Sequence, residues 1–177
     1  ERAGALSREE MIEELEDRHY AKLEYDDRLS SQHLDAYIDS LDRSKMFFTA
    51  ADIAEFEQYR TVMDDQLPKG NLDAGFAIFN RFEERLKHRL QGLVQDLPGV
   101  VAGMDFARDE DFELDFEERQ WADTQEELDD RWRKQVKNQV LSLKMAEKAE
   151  DEIVPTLTRR YENQLKRVDQ YKHYDVF

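Results

Sequence analysis

The chain has 177 residues, enough for one domain or two small ones, and its 26 basic against 42 acidic residues leave a formal net charge of −16. That balance argues against nucleic acid, whose phosphates must be neutralised by Lys and Arg, and against an anionic membrane surface. With no Cys, disulfides, thiolate metal sites and a Cys nucleophile are excluded, and the six Gly and three Pro predict few turns and long helices. No apolar run approaches the roughly 18 residues that a membrane span needs, and no signal peptide is visible. Glu1 in place of an initiator Met predicts a processed product or an excised fragment.

In chain order, Ser7-Arg8-Glu9-Glu10 is a capping box that opens a helix to about Tyr25, with Met11, Leu15 and Leu23 inward. Ser30 or Ser31 starts a second helix, with Leu34, Tyr37, Ile38 and Leu41 on one face. In "RSKMFFTAADIAEF", residues 43 to 56, Thr49 and Asp52 have N-cap and N3 spacing, and Phe48 and Ile53 have that of a hydrophobic staple. The third helix therefore runs from Ala50 to about Met63, with Ile53, Phe56, Arg60 and Met63 at helical intervals, and Met46 and Phe47 enter a core. "LPKGN", residues 67 to 71, is a turn.

Asn71 is placed to cap a fourth helix. Its stripe of Leu72, Phe76, Phe79, Leu86, Leu90, Leu93 and Leu97 runs to a stop at Pro98-Gly99, roughly 39 Å at 1.5 Å per residue. Residues 99 to 123 break the period. Phe112, Leu114 and Phe116 alternate with acids, which predicts an extended acidic arm over about 104–123 or a hairpin strand. Thr124-Gln125-Glu126-Glu127, another capping box, opens a helix carrying Leu128, Trp132, Val136, Val140 and Leu143. A last helix carries Ile153, Leu157, Tyr161, Leu165 and Val168, with Pro155 in its first turn, and residues 172 to 177 lose the period. The expected fold is all-α: a bundle of about six helices with one extended arm, in a single domain over residues 1–177.

Sites with chemistry are scarce. His19, His33, His88 and His173 have no partner His at a spacing of three or four, so no zinc motif forms. Asp109, Asp111, Glu113 and Asp115 imitate the start of a calcium loop, but Leu114 stands where its Gly belongs and Gln120 where its Glu belongs. The segment reads as a solvated acidic arm. Ser44 with Lys45, and Ser142 with Lys144, are the pairs to weigh for Ser–Lys catalysis. Ser44 falls in a helix–helix turn and Ser142 in mid-helix, and neither has the Gly-rich neighbour of an oxyanion hole. The expectation is no catalytic residue, no cofactor and no metal.

Four stretches in order carry a resemblance: "LDRSKMFFTAADIAEFEQYR" (41 to 60), "GFAIFNRFEERLKHRL" (75 to 90), "WRKQVKNQVLSLKMAEK" (132 to 148) and "LTRRYENQLKRVDQYKHYDVF" (157 to 177). Together they resemble the N-terminal region of the tail-specific, or carboxy-terminal processing, proteases, and they cover almost the whole chain. "QYKHYDVF" departs from the family's usual text there. The resemblance implies a bacterial periplasmic serine endopeptidase with a Ser–Lys pair and a PDZ domain, acting on proteins with apolar C-terminal tails, sometimes with a lipoprotein adaptor. It implies that the PDZ and catalytic domains follow this region. The family's catalytic Ser and Lys therefore match no position here, and the chain is expected to be a non-catalytic helical domain excised from the protease. Its expected partners are the remainder of the protease, substrates and the adaptor, without nucleic acid or membrane insertion. Two other readings stand beside it: an acidic bundle that dimerises through the Phe76–Leu97 stripe, and a carboxylate metal protein, for which the Glu-x-x-His motifs are absent.

Overall fold

The computed structural model describes residues 27–61, 72–113 and 115–174. The helix expected over Ser7–Tyr25 lies outside them. Five α-helices are present among the described residues: α1 Asp27–Asp42, α2 Ala50–Phe56, α3 Asp73–Ala102, α4 Gln125–Met145 and α5 Glu150–Tyr174. They match the other five of the expected elements, and the all-α class holds.

α3 is the spine. Ile78, Leu86, Leu90, Leu93 and Leu97 recur on one face and are buried, and each Leu hidden this way contributes about 1.5–3 kcal/mol. α5 is its principal partner. It runs back along α3, so that Gln164 and Val168 of α5 stand level with Phe79 and Phe82 of α3. α4 packs on both, and its expected stripe of Leu128, Trp132, Val136, Val140 and Leu143 is buried. These three helices share one core with Ile153, Leu157 and Tyr161. A smaller cluster joins Leu34 and Ile38 of α1, Phe48, Phe56 of α2, and Ala74 and Ile78 of α3, with Phe82 packed against both clusters. The Leu86–Leu97 part of the α3 stripe is thus covered within one chain.

Several boundaries differ from the sequence reading. α3 does not stop at Pro98. It continues to Ala102 and ends at Gly103, whose N–H donates to Gly99 O at 3.0 Å. Pro98 is exposed, and the lost backbone bond is offset because Val100 and Val101, beyond it, pack against the main core. The 30-residue helix is about 45 Å long. At its start the N-cap position is Leu72, which makes no side-chain cap bond, and Asn71 lies outside the described residues. α2 is shorter than expected. After Phe56 the chain tightens into a 3₁₀ turn, Glu57–Tyr59, a common way to end a helix. Arg60 is not a core position: its guanidinium binds Glu57, Asp35 and the Ser31 hydroxyl. Pro155 lies in the second turn of α5 rather than the first, on its exposed face. α5 also keeps its helix to Tyr174, past the expected loss of period.

α4 closes in a Schellman motif: Glu147 N–H donates to Lys144 O and Lys148 N–H to Leu143 O. Glu147 takes the left-handed conformation, φ 56°, that glycine usually supplies there. The segment between α3 and α4 forms no strand among its described residues. One isolated parallel bridge, Thr49 to Ala122, is its β feature. The extended-arm alternative is therefore the observed one.

Candidate functional site

The densest polar construction surrounds the stretch 42–56. Asp42, the last residue of α1, is 2% exposed. Its carboxylate accepts the backbone N–H groups of Met46 (2.9 Å), Phe47 (2.8 Å) and Phe48 (2.9 Å). Burial pushes its pKa up against the pull of these three donors and of the Arg119 charge. Lys45 adopts φ 53° to make the turn. The capping box then closes as expected. Thr49 Oγ1 accepts from Asp52 N–H, and Asp52 Oδ2 accepts from Thr49 N–H at 2.9 Å. Phe48 and Ile53 join the same apolar cluster, in keeping with the staple.

Asp52 does more than cap. It is 1% exposed and receives Arg81 (2.7 Å) and Arg85 (2.9 Å) from α3. Burial raises its pKa, but the Thr49 N–H and the two guanidinium groups outweigh that, and the net direction is down.

The arm is fastened to this junction by side chains reaching backbone. Arg119, 5% exposed, donates to Ser44 O at 2.9 Å, to Met46 Sδ, and to Glu113 through both its side chain and carbonyl. Lys45 Nζ returns the contact by donating to Arg119 O. Arg131 of α4 donates to Lys45 O and Gln120 O. Trp132 seals the junction from below. Its indole N–H donates to Met46 O at 2.6 Å, and its ring lies 5.4 Å from Phe47 and 6.5 Å from Tyr161. Tyr161 itself is pushed up to about 12 by burial. At the other end of the arm, Glu110 is gripped by Arg133 and Lys137, which hold its carboxyl far below the usual range.

Two clefts open beside this construction. One, of about 470 Å³, has Leu93, Val100, Met104 and Trp132 as its floor and Arg89, Arg108 and Arg133 on its walls. Those guanidinium groups face Asp129, Glu110 and Asp130, so the cleft presents little free charge. The other, also about 470 Å³, lies between α1, α3 and α5 and is largely apolar, with Leu41, Phe47, Phe79, Phe82, Leu86 and Val168 in its walls.

The residues weighed for chemistry are not drawn into either cleft. Ser142 donates to Asn138 O one turn back, and Lys144 pairs with Glu150. Lys45 is spent on Arg119 O and Glu117 O and stands 5.5 Å from the Trp121 ring. Of the acidic run, Glu113 pairs with Arg119, and Asp115 accepts the Glu117 N–H in a local turn. His88 is exposed, while His19 lies outside the described residues. Among the described residues, no group of three or more His, Asp or Glu is arranged to hold a metal ion. The sequence reading missed Asp42 and Arg119. Asp42 left one faint signal, an acid at a helix end just before a turn and three apolar residues. Arg119 left none, because the Ser44 and Met46 atoms that it latches lie more than 70 positions away.

Fold and junction together define, among the described residues, an all-helical module built from a latched turn, an acidic arm and a long central helix. The chain belongs to the tail specific protease N-terminal domain family, which it matches over residues 11–177. It is 32% identical over 163 residues to the tail-specific protease of Haemophilus influenzae, an alignment covering 92% of this chain and 23% of that protein. The chain thus spans about a quarter of the length of the curated relative it matches. The parent family is, by name, one of proteases.

Proposed function

We propose that this chain is the non-catalytic helical part of a periplasmic serine endopeptidase of the Ser–Lys type, which removes or degrades proteins with apolar C-terminal tails. In this reading the domain braces the protease core and helps to hold substrate or a lipoprotein adaptor. The observation that carries it is the family match over residues 11–177. The side chains support it: both candidate lysines are engaged elsewhere, Lys45 with Arg119 O and Lys144 with Glu150, and the Ser142 hydroxyl donates to Asn138 O. A relative of the same family is a bacterial protein, which is consistent with the cell envelope as the location. Among the described residues no helix is long and apolar enough to cross a membrane.

The test uses the purified 177-residue chain and a fluorogenic peptide ending in apolar residues. No turnover is expected. Sustained hydrolysis that persists after repurification would refute the non-catalytic role. In the full-length protease, a photoactivatable crosslinker placed along the α1–α3–α5 groove or the α3–α4 cleft should capture the catalytic part of the same chain or the substrate peptide. Capture of neither from any position would refute the bracing and holding roles.

A further inference from the structure

Nearly every cation of this chain already has a partner. Among the described side chains, each Lys and Arg from Arg43 to Lys148 reaches an acid, except Lys45, which binds backbone carbonyls. Arg159, Arg160, Lys166 and Arg167 of α5 differ. All four are exposed, and none pairs with an acid among the described residues. That is unexpected where 42 acidic residues compete for 26 basic ones. Nor does the helix dipole place them, since it favours cations in the last turn and these begin well before Tyr174, where α5 ends.

Arg159 and Lys166 stand seven positions apart, as do Arg160 and Arg167, so the four share one side of α5 over two turns, about 12 Å. Arg167 also lines the groove between α1, α3 and α5, whose described walls include no acid. Leu41, Phe47, Phe79, Phe82 and Val168 are only half-buried in it. An apolar trough edged by unpaired cations fits a ligand that offers carboxylates and large apolar side chains together, which a polypeptide segment does. A nucleic acid or an anionic bilayer brings charge over a much larger area, where the remaining surface of a chain of net charge −16 repels it. A short acidic segment responds mainly to charges within the screening distance, roughly 8–10 Å, and so to this strip. We infer that the outer face of α5 and the adjoining groove dock an acidic segment of a partner protein, its carboxylates on the four cations and its apolar side chains in the groove. This gives the proposed holding role a partner of defined chemistry and rests on that reading only for the partner's place in proteolysis.

The test is fluorescence anisotropy of the full 177-residue chain with a short fluorescein-labelled peptide of Glu, Phe and Leu. Saturable binding is expected, weakening as salt rises. Exchanging the peptide's Glu for Gln, or its Phe and Leu for Ser, should abolish it. In the chain, Arg160→Glu with Arg167→Glu should weaken binding at least about tenfold, while Lys at both positions should keep it. Both arginines are exposed, so circular dichroism should show the charge-reversed chain folded. Phe79→Ser should weaken binding as well, and the arginine pair stays decisive where that variant loses helicity. Absence of binding overturns the inference, as does binding indifferent to the arginine pair. Equal binding of the Ser-containing peptide would leave the groove without a role and overturns it too. Tighter binding of phosphatidylglycerol vesicles or of an oligonucleotide, lost in the charge-reversed chain, would assign the face to a polyanion instead. Self-association in sedimentation that the same reversal abolishes, without peptide binding, would assign it to a second copy. No arm reads turnover, so failure here leaves the test of the non-catalytic role untouched.

Discussion

Trp132 offers the sharpest test of the junction. Its indole is 6% exposed, touches Phe47 and Tyr161, and donates to Met46 O, so it holds the α1–α2 turn against α4 and α5. Two substitutions separate packing from hydrogen bonding. Trp132→Ala empties the site and should cost about 3–5 kcal/mol, the usual range for removing a large buried aromatic. Trp132→Phe keeps most of the ring area but leaves Met46 O without its donor, so about 1–3 kcal/mol should be lost. The assay is urea unfolding followed by far-UV circular dichroism, with Trp121 kept as a second, fluorescent reporter. The midpoints should fall in the order wild type, Phe, Ala, at constant m, since a changed midpoint at unchanged m reports native stability. A loss below about 1 kcal/mol for Trp132→Ala would show that the indole is not in the core. Equal losses for the two variants would assign the whole loss to the hydrogen bond and remove ring packing from the account.

Three further outcomes follow from named groups. Thr49→Ala removes the side-chain acceptor at the start of α2 and should cost about 1 kcal/mol in the same unfolding assay. Glu147→Gly relieves the left-handed residue that closes α4 and should raise stability by about 1 kcal/mol; a lower melting temperature would refute the strain assigned to φ 56°. The Asp52 pKa is lowered in the folded state, so the stability it contributes is complete above the unfolded value of about 3.9 and is lost as pH falls through the folded one. Asp42 is raised and works in the opposite sense, its contribution falling as pH rises from the unfolded value through the folded one. Asp52→Asn should therefore flatten the acid side of the stability profile below about pH 4. Asp42→Asn should leave that limb in place, as equilibrium urea titrations at stepped pH will show.

What could be read from the sequence was what repeats locally. The α4 stripe from Leu128 to Leu143, the α3 leucines and the Thr49–Asp52 box each depend on neighbours within a few positions, and all are present. The second box is half-formed. Thr124 accepts from Glu127 N–H, but the Glu127 carboxylate takes the N–H of Asp123 rather than that of Thr124. The misread stop at Pro98 and the choice between arm and strand both depend on partners far along the chain. Pro98 reads locally as a stop, yet Val100 and Val101 find the core beyond it. Phe112, Leu114 and Phe116 alternate as a strand would, but an alternating sequence forms a ladder only against an available edge. In a helical molecule the described part of the arm meets one backbone partner, at Thr49 and Ala50. It is held instead by Arg119, Lys45 and Arg131 donating to carbonyls. Such bonds leave no periodic trace, since each needs only a long cationic side chain and a carbonyl that the fold brings near. The candidate site shares that character. Its polar frame depends on Asp52, legible in sequence only as a cap, and on Asp42 and Arg119, which look in sequence like the rest of a highly charged surface. Only burial sets them apart, and burial is decided by the packing of α3, α4 and α5 around them.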